Sequence, residues 1–176
     1  MAANPNLNLA ISFGDAVTDV GTVLLYPLGT KREQDGKVYR YVQLDSGATA
    51  AVDGQLAFRA GGASGSVYIV TKTAANTAPN LSCGIFQSVI AASGYGWILT
   101  KGDDTVATSG VDDIAKGDAV IETLANAGTV RKQIVATADT AAAVLVQSLL
   151  FVHVVGVALA DDDNGANTVR LMVDFE

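Results

Sequence analysis

Short apolar segments separated by turn-forming residues restrict the possible folds of this chain more than any other feature. Segments rich in valine, isoleucine, leucine and tyrosine recur about every ten residues, and each is bounded by Gly, Asp, Asn or Ser. Such spacing is typical of sandwiches and barrels built from short strands. The sequence therefore predicts an all-β fold, a β-sandwich or β-barrel of short antiparallel strands, and does not distinguish the two architectures.

The segment Lys37–Leu44 has the clearest strand pattern, because its apolar residues alternate between two faces. Residues 31–36, KREQDG, are instead interpreted as a charged loop that ends in an Asp-Gly turn. For Ala141–Leu150 the composition leaves helix and strand equally open. The other predicted strands are Leu7–Phe13, Thr22–Tyr26, Gln55–Arg59, Ser66–Thr71, Gly84–Val89, Tyr95–Thr100, Asp118–Thr123, Thr129–Thr137, Leu149–Leu159 and Thr168–Val173.

The N-terminal residues 1–30 are predicted to form an extended arm, and residues 31–176 a single β-rich domain. Within the arm, Leu7, Leu9, Ile11 and Phe13 alternate with polar or small residues, which gives a strand with one apolar face. The backbone groups of a lone strand need partners, and addition to a neighbouring subunit's sheet would supply them. We therefore expect this arm to contact another protein.

Composition excludes several classes of protein. The chain has 18 acidic and 11 basic residues, a formal net charge of −7, which disfavours binding to nucleic acid. Its single cysteine cannot form an intrachain disulfide. No basic start followed by an apolar block is present, so we expect no signal peptide. The apolar stretch Ala141–Ala160 contains Gln147, Ser148 and His153 and has acidic flanks, which favours a buried segment over a membrane span.

The residues capable of chemistry form no recognisable catalytic or ligand-binding motif. His153, the only histidine, lies among apolar neighbours, and nothing in the sequence links it to Cys83 or to a serine. The run Asp161-Asp162-Asp163 lacks the spacing of a calcium loop, and Asp103-Asp104 and Asp112-Asp113 are interpreted in the same way, as polar turns. We expect no enzymatic activity, no cofactor and no metal site.

Scarcity of charge points to assembly with other protein. Charged residues make up 16% of the chain, whereas the surfaces of soluble domains are typically about 25–35% charged. A chain of this composition can cover its apolar surface in an obligate interface. A cluster of Lys, Arg and Tyr is a candidate docking edge, with a solvated hairpin face as the alternative. The candidate interface residues are Leu7, Leu9, Ile11, Phe13, Leu24, Tyr26, Lys31, Arg32, Tyr39, Arg40 and Tyr41.

Two parts of the sequence resemble structural proteins of tailed-bacteriophage heads. The segment Leu28–Val42 is similar to one found in such proteins, and the progression Gly117–Val120, Val154–Leu159 and Thr168–Leu171 resembles capsid decoration, or cement, proteins. The resemblance implies a protein made in the bacterial host cytoplasm that binds the outer face of the capsid. Its implied partners are the major capsid protein and further copies of itself, with a homotrimer favoured and a dimer possible.

A head-fibre or tail-associated protein that binds a receptor or glycan is the alternative function. It would need an exposed aromatic platform, for which Tyr95 and Trp97 are the candidates. Packing of Trp97 in the core is the competing interpretation of the same residues.

Overall fold

The computed structural model describes residues 16–60, 68–72, 82–110, 113–123, 127–133, 154–161 and 168–175. These residues form ten strands and contain no helix. The strands are β1 (Lys31–Gln34), β2 (Lys37–Leu44), β3 (Leu56–Arg59), β4 (Ile69–Thr71), β5 (Ser82–Phe86), β6 (Tyr95–Ala107), β7 (Ala119–Glu122), β8 (Val130–Lys132), β9 (Val154–Ala158) and β10 (Thr168–Asp174).

Five strands close into a barrel. They follow the order β2-β4-β3-β5-β6, and β6 pairs back onto β2 over Val38–Gln43. The pairing of β2 with β4 is parallel, and the other four pairings are antiparallel. The predicted all-β fold is confirmed, and its architecture is a barrel. Closure satisfies the backbone groups of these strands within the ring.

The predicted charged loop at residues 31–36 is wrong, because residues 31–34 form β1. This strand pairs with β2 from Lys31↔Arg40 to Gln34↔Lys37. Asp35 and Gly36 form the connecting turn with φ of 53° and 75°, the combination that a two-residue type I′ turn requires. The Asp-Gly pair therefore indicated the turn correctly, whereas the polar sequence KREQ gave no sign of the strand before it.

Strand β6 is longer than predicted, and it links the barrel to the remaining strands. Its first half pairs with β2 and β5, and its second half pairs with β10 from Lys101↔Asp174 to Ala107↔Thr168. Asp103 and Asp104, predicted to form a polar turn, lie inside this strand. Strands β9, β7 and β8 follow β10 in the sheet, and an isolated bridge joins Thr108 to Val130.

The wall of the barrel is buried on both of its faces. All five barrel strands contribute to a cluster that fills the interior: Val42, Leu44, Ala51, Ala57, Val70, Phe86, Ile90 and Ile98. A larger cluster joins the outside of the wall to strands β7–β10: Tyr39, Tyr41, Leu56, Phe58, Ile85, Trp97, Leu99, Val106, Ile114, Val120, Val130, Val155, Ala158 and Val173. Burial on both faces explains why apolar residues of β2 occupy successive positions, as in Val38-Tyr39 and Tyr41-Val42.

The remaining predictions concern the N-terminal segment and the stretch Ala141–Ala160. Residues 22–26 form no strand, and the bridge Gly21↔Tyr95 is the one ladder contact of the described residues before β1. The predicted strand Leu7–Phe13 and the segment Ala141–Leu150 lie outside the described residues. Of the stretch Ala141–Ala160, Val154–Ala158 forms β9. Within the described part of the chain, no helix is long and apolar enough to cross a membrane.

Candidate interaction surface

The segment before β1 presents four apolar side chains to solvent. Val20, Val23, Leu24 and Leu25, here called the apolar patch, are 50%, 67%, 51% and 61% exposed. Two backbone hydrogen bonds fix the segment to the barrel: Gly21 N–H donates to the Tyr95 carbonyl (3.1 Å), and Tyr95 N–H donates to the Gly21 carbonyl (2.8 Å). Leu24, a predicted interface residue, is therefore exposed on a segment anchored to the barrel.

Tyr26 anchors the other end of the same segment through aromatic contacts. Its ring lies 5.2 Å from the ring of Tyr41 in an edge-to-face arrangement and 5.6 Å from that of Trp97. Each such pair contributes about 0.5–1.5 kcal/mol beyond the burial of its area. Tyr26, also predicted at the interface, is half-buried and packs against the larger core cluster.

Tyr39 and Tyr41, predicted as interface residues, lie in the core of the chain itself. They are 6% and 2% exposed, because the outer face of β2 is covered by the larger core cluster. Trp97 is 1% exposed, and its ring lies 5.1 Å from that of Tyr41. Core packing is therefore the correct interpretation of Trp97, and its buried ring is not an exposed aromatic platform.

The basic residues of the predicted docking edge divide between two places. Lys31 is exposed and pairs with Glu33 (2.9 Å), and the Arg32 guanidinium lies over the Trp97 ring at 5.8 Å. An exposed ion pair such as Lys31–Glu33 contributes about 0–1 kcal/mol. Arg40 instead donates from Nη1 to the carbonyl of Gly29 (3.2 Å), at one end of the barrel. The cluster seen in the sequence is thus not one continuous basic surface.

Two exposed apolar pairs were missed in the sequence. Val157 on β9 lies opposite Met172 on β10, and these side chains are 45% and 48% exposed. Val52 and Val89 flank the antiparallel bridge Ala51↔Ile90, which places them side by side, 48% and 57% exposed. Alternation within a strand identifies an apolar face but does not reveal whether a neighbouring strand covers it. Leu7, Leu9, Ile11 and Phe13 lie outside the described residues.

Charged pairs join the second half of β6 to its neighbour. Arg170 on β10 donates from Nε to Asp103 Oδ2 (2.9 Å), and this hydrogen bond lowers the pKa of the Asp103 carboxyl. Lys101 pairs with Asp174 (2.8 Å) across the same two strands. Immediately before β7, the pKa of Asp118 is lowered by its hydrogen bonds to Lys132 and to the backbone N–H of Ala115.

The surroundings of Cys83 differ from those of a reactive cysteine nucleophile. Burial raises the pKa of its thiol to about 12, and Sγ donates to the carbonyl of Ala57 (3.4 Å). A thiol with this pKa is protonated at neutral pH and is a poor nucleophile. His153 lies outside the described residues. Where the structure describes the chain, no three His, Cys, Asp or Glu residues are grouped to hold a metal ion.

Comparison with known proteins gives a structural likeness but no likeness in sequence. No family model matches the chain, and no curated protein matches it in sequence. Among solved structures, the chain is similar to the crystal structure of the head fiber gp8.5 N base in bacteriophage phi29. The likeness covers 80% of this chain and 96% of that chain, with 13% sequence identity and a TM-score of 0.48. A likeness at this level carries no assignment of function or partner.

Proposed function

We propose that this chain is a capsid decoration protein that binds the outer surface of a tailed-phage head and stabilises contacts between major capsid protein subunits. The apolar patch on the segment anchored to the barrel is the main observation in support of this proposal. Four large apolar side chains within residues 20–25 are at least half exposed. A group of exposed apolar side chains is typical of a surface that another protein covers. The sequence resemblance of Leu28–Val42 to head structural proteins supplies the kind of partner.

The strength of the patch favours binding through several copies. Full burial of a Val or Leu side chain is worth about 1.5–3 kcal/mol, so covering the exposed half contributes about 1 kcal/mol for each residue. Four such contributions sum to about 4 kcal/mol, which only reaches the lower end of the cost of association, about 4–15 kcal/mol. Linked binding sites raise the effective concentration of each other. A homotrimer, or a dimer, that docks several patches at once on a symmetric shell overcomes this cost.

Stabilisation of the head follows from mass action. A ligand that binds the assembled shell and not its separated subunits stabilises the shell in proportion to its concentration and affinity. The net charge of −7 suits the outer face, where the protein does not meet packaged DNA. The protein acts in this proposal by binding alone, without catalysis, cofactor, metal or membrane.

Co-sedimentation with purified heads tests the proposal. We expect the full chain to sediment with heads of its phage that lack it, and the treated heads to release DNA at a higher temperature. Leu24→Asp, which places a charge in the patch, should reduce the bound fraction severalfold. Val52→Asp, at a valine of similar exposure outside the patch, should bind as the original chain does. The proposal fails if the chain does not bind heads, or if binding leaves DNA release unchanged.

The same preparation distinguishes the head-fibre or tail-associated alternative. A receptor- or glycan-binding protein would bind cell-surface glycans on an array in its isolated form and would leave the heat stability of the head unchanged. Tyr95 stacks on Tyr41 with 6.2 Å between ring centroids. The burial of Trp97 and this contact of the half-buried Tyr95 disfavour an exposed aromatic platform of these two residues.

A further inference from the structure

The sheet formed by the second half of β6 with β10, β9 and β7 has one covered face and one exposed face. Val173 on β10 lies opposite Gly156 on β9, and Val173 is buried in the larger core cluster. The next pair along the same two strands, Met172↔Val157, is exposed. Because side chains alternate between the two faces of a sheet, the face that carries Met172 and Val157 points away from the core.

Apolar side chains form the centre of this exposed face. Val157 lies opposite Met172 on one side and opposite Ala119 of β7 on the other. Val154 is also 45% exposed, and the register between β7 and β9 shifts between it and Val157, which places both side chains on the same face. Val154, Val157 and Met172, here called the β9–β10 strip, are three of the nine large apolar side chains that are exposed in the described part of the chain.

Charged side chains of both signs border the strip. Asp103 on β6 lies directly opposite Met172, and Arg170, two residues before Met172, pairs with Asp103. Asp174, two residues after Met172, pairs with Lys101. This border therefore carries two positive and two negative charges, whereas the whole chain has a formal net charge of −7. An apolar centre within a polar rim is the usual arrangement of a protein interface.

The balance of charge at the border favours a second copy of this chain as the partner. Two chains that each carry −7 repel each other, and like charges that meet across an interface oppose binding. A surface that meets its own copy across a two-fold axis must be complementary to itself. A border with equal numbers of positive and negative groups satisfies this condition, since each group can lie near one of opposite sign on the other copy.

We propose that the β9–β10 strips of two copies pack face to face in a two-fold dimer. Sheet faces pack about 10 Å apart with their side chains interdigitated, and the unbranched Met172 side chain adapts to irregular gaps. The inference deepens the proposed function and rests on it only for the docking on a shell, where the dimer presents two apolar patches. The patch stays uncovered in the dimer, because its anchor Tyr95 lies eight residues from Asp103 along β6, roughly 25 Å for an extended strand.

Sedimentation equilibrium of the isolated full chain tests the dimer without any capsid. We expect the chain to shift from monomer to dimer as its concentration rises. Val157→Asp should raise the dimer dissociation constant at least about tenfold, because a charge from each copy loses its hydration in the interface. Val52→Asp, the same change at a valine of similar exposure, should leave the constant unchanged. Leu24→Asp should also leave it unchanged, so loss of the dimer and loss of head binding are separate results.

Cross-linking locates the interface. Val157→Cys places a thiol at the centre of the strip, and a short bismaleimide should join two copies through it. Val52→Cys is the matched control and should remain unlinked. The native Cys83 does not compete, because burial raises the pKa of its thiol to about 12. Circular dichroism of each variant verifies that the chain is folded.

Three results would overturn the proposal. The first is a chain that is monomeric at all concentrations. The second is an equal dissociation constant for Val157→Asp and Val52→Asp, and the third is equal cross-linking of the two cysteine variants. If the chain is monomeric and Val157→Asp reduces its binding to heads, the strip contacts the capsid protein and not a second copy.

Discussion

Replacement of Gly156 by alanine should destabilise the chain by separating β9 from β10. Gly156 lies in the middle of β9, between Val173 on β10 and Val120 on β7. A Cβ at this position would overlap the carbonyl oxygen of Met172 and would lie 3.1 Å from the carbonyl carbon. A flexible side chain could rotate away from the new methyl group, but a backbone carbonyl within a ladder cannot. Relief therefore requires the two strands to move apart.

The expected magnitude follows from two opposing effects. Overpacking in a well-packed region costs about 1–3 kcal/mol, and the rigid backbone partner favours the upper end of that range. The alanine also restricts the unfolded chain, which stabilises the folded state by about 0.4–1 kcal/mol. The net loss is about 2 kcal/mol. With a urea dependence of about 2 kcal/mol per molar, the unfolding midpoint should fall by about 1 M.

Urea unfolding followed by the fluorescence of Trp97, the only tryptophan, measures this change. The matched control is Gly117→Ala, at a glycine with φ +92° and no atom within 4 Å of its new Cβ. That control isolates the cost of the left-handed backbone, about 1 kcal/mol. If Gly156→Ala unfolds at or above the midpoint of Gly117→Ala, the close approach of β9 and β10 is not a feature of the folded protein.

Three further outcomes are expected. Trp97→Ala should lower the free energy of unfolding by about 3–5 kcal/mol, measured in urea, because its ring is fully buried; an unchanged midpoint would contradict core packing. The lowered pKa of Asp103 stabilises the fold above the unfolded value of 3.8, and this contribution is lost as pH falls through the folded pKa. In the Arg170→Gln variant, the free energy of unfolding measured as a function of pH should not show this loss. Cys83 should react with iodoacetamide far more slowly than free cysteine at pH 8, since its pKa is about 12; equal rates would contradict its burial.

The positions of most strands could be predicted from the sequence, because apolar segments and turn residues report local structure. Lys37–Leu44 was predicted with the bounds that the structure gives to β2. Strand β1 was missed because Lys, Glu and Gln have low strand propensity, and its neighbour β2 provides the pairing. The second half of β6 was missed for a related reason. Its Asp103 and Lys101 are compatible with a strand because Arg170 and Asp174 lie across the ladder.

The candidate surface was harder to predict, because the direction of a side chain depends on the tertiary fold. Tyr39 and Tyr41 have the composition of an interface, yet the outer face of β2 is itself covered. Thr22–Tyr26 has the composition of a strand, yet its apolar residues divide between the patch and the contact of Tyr26 with Trp97.

The low charge content of the chain has two causes that the composition cannot separate. A barrel wall that is buried on both faces requires apolar residues at successive positions, as in Leu56-Ala57-Phe58, and this accounts for part of the excess without any partner. Exposed apolar residues need a separate explanation, because packing within the core of the chain does not account for them. The apolar patch is of this second kind, since its side chains remain exposed beside a complete barrel core. The case for assembly therefore depends on where residues 20–25 point and not on the 16% of charged residues.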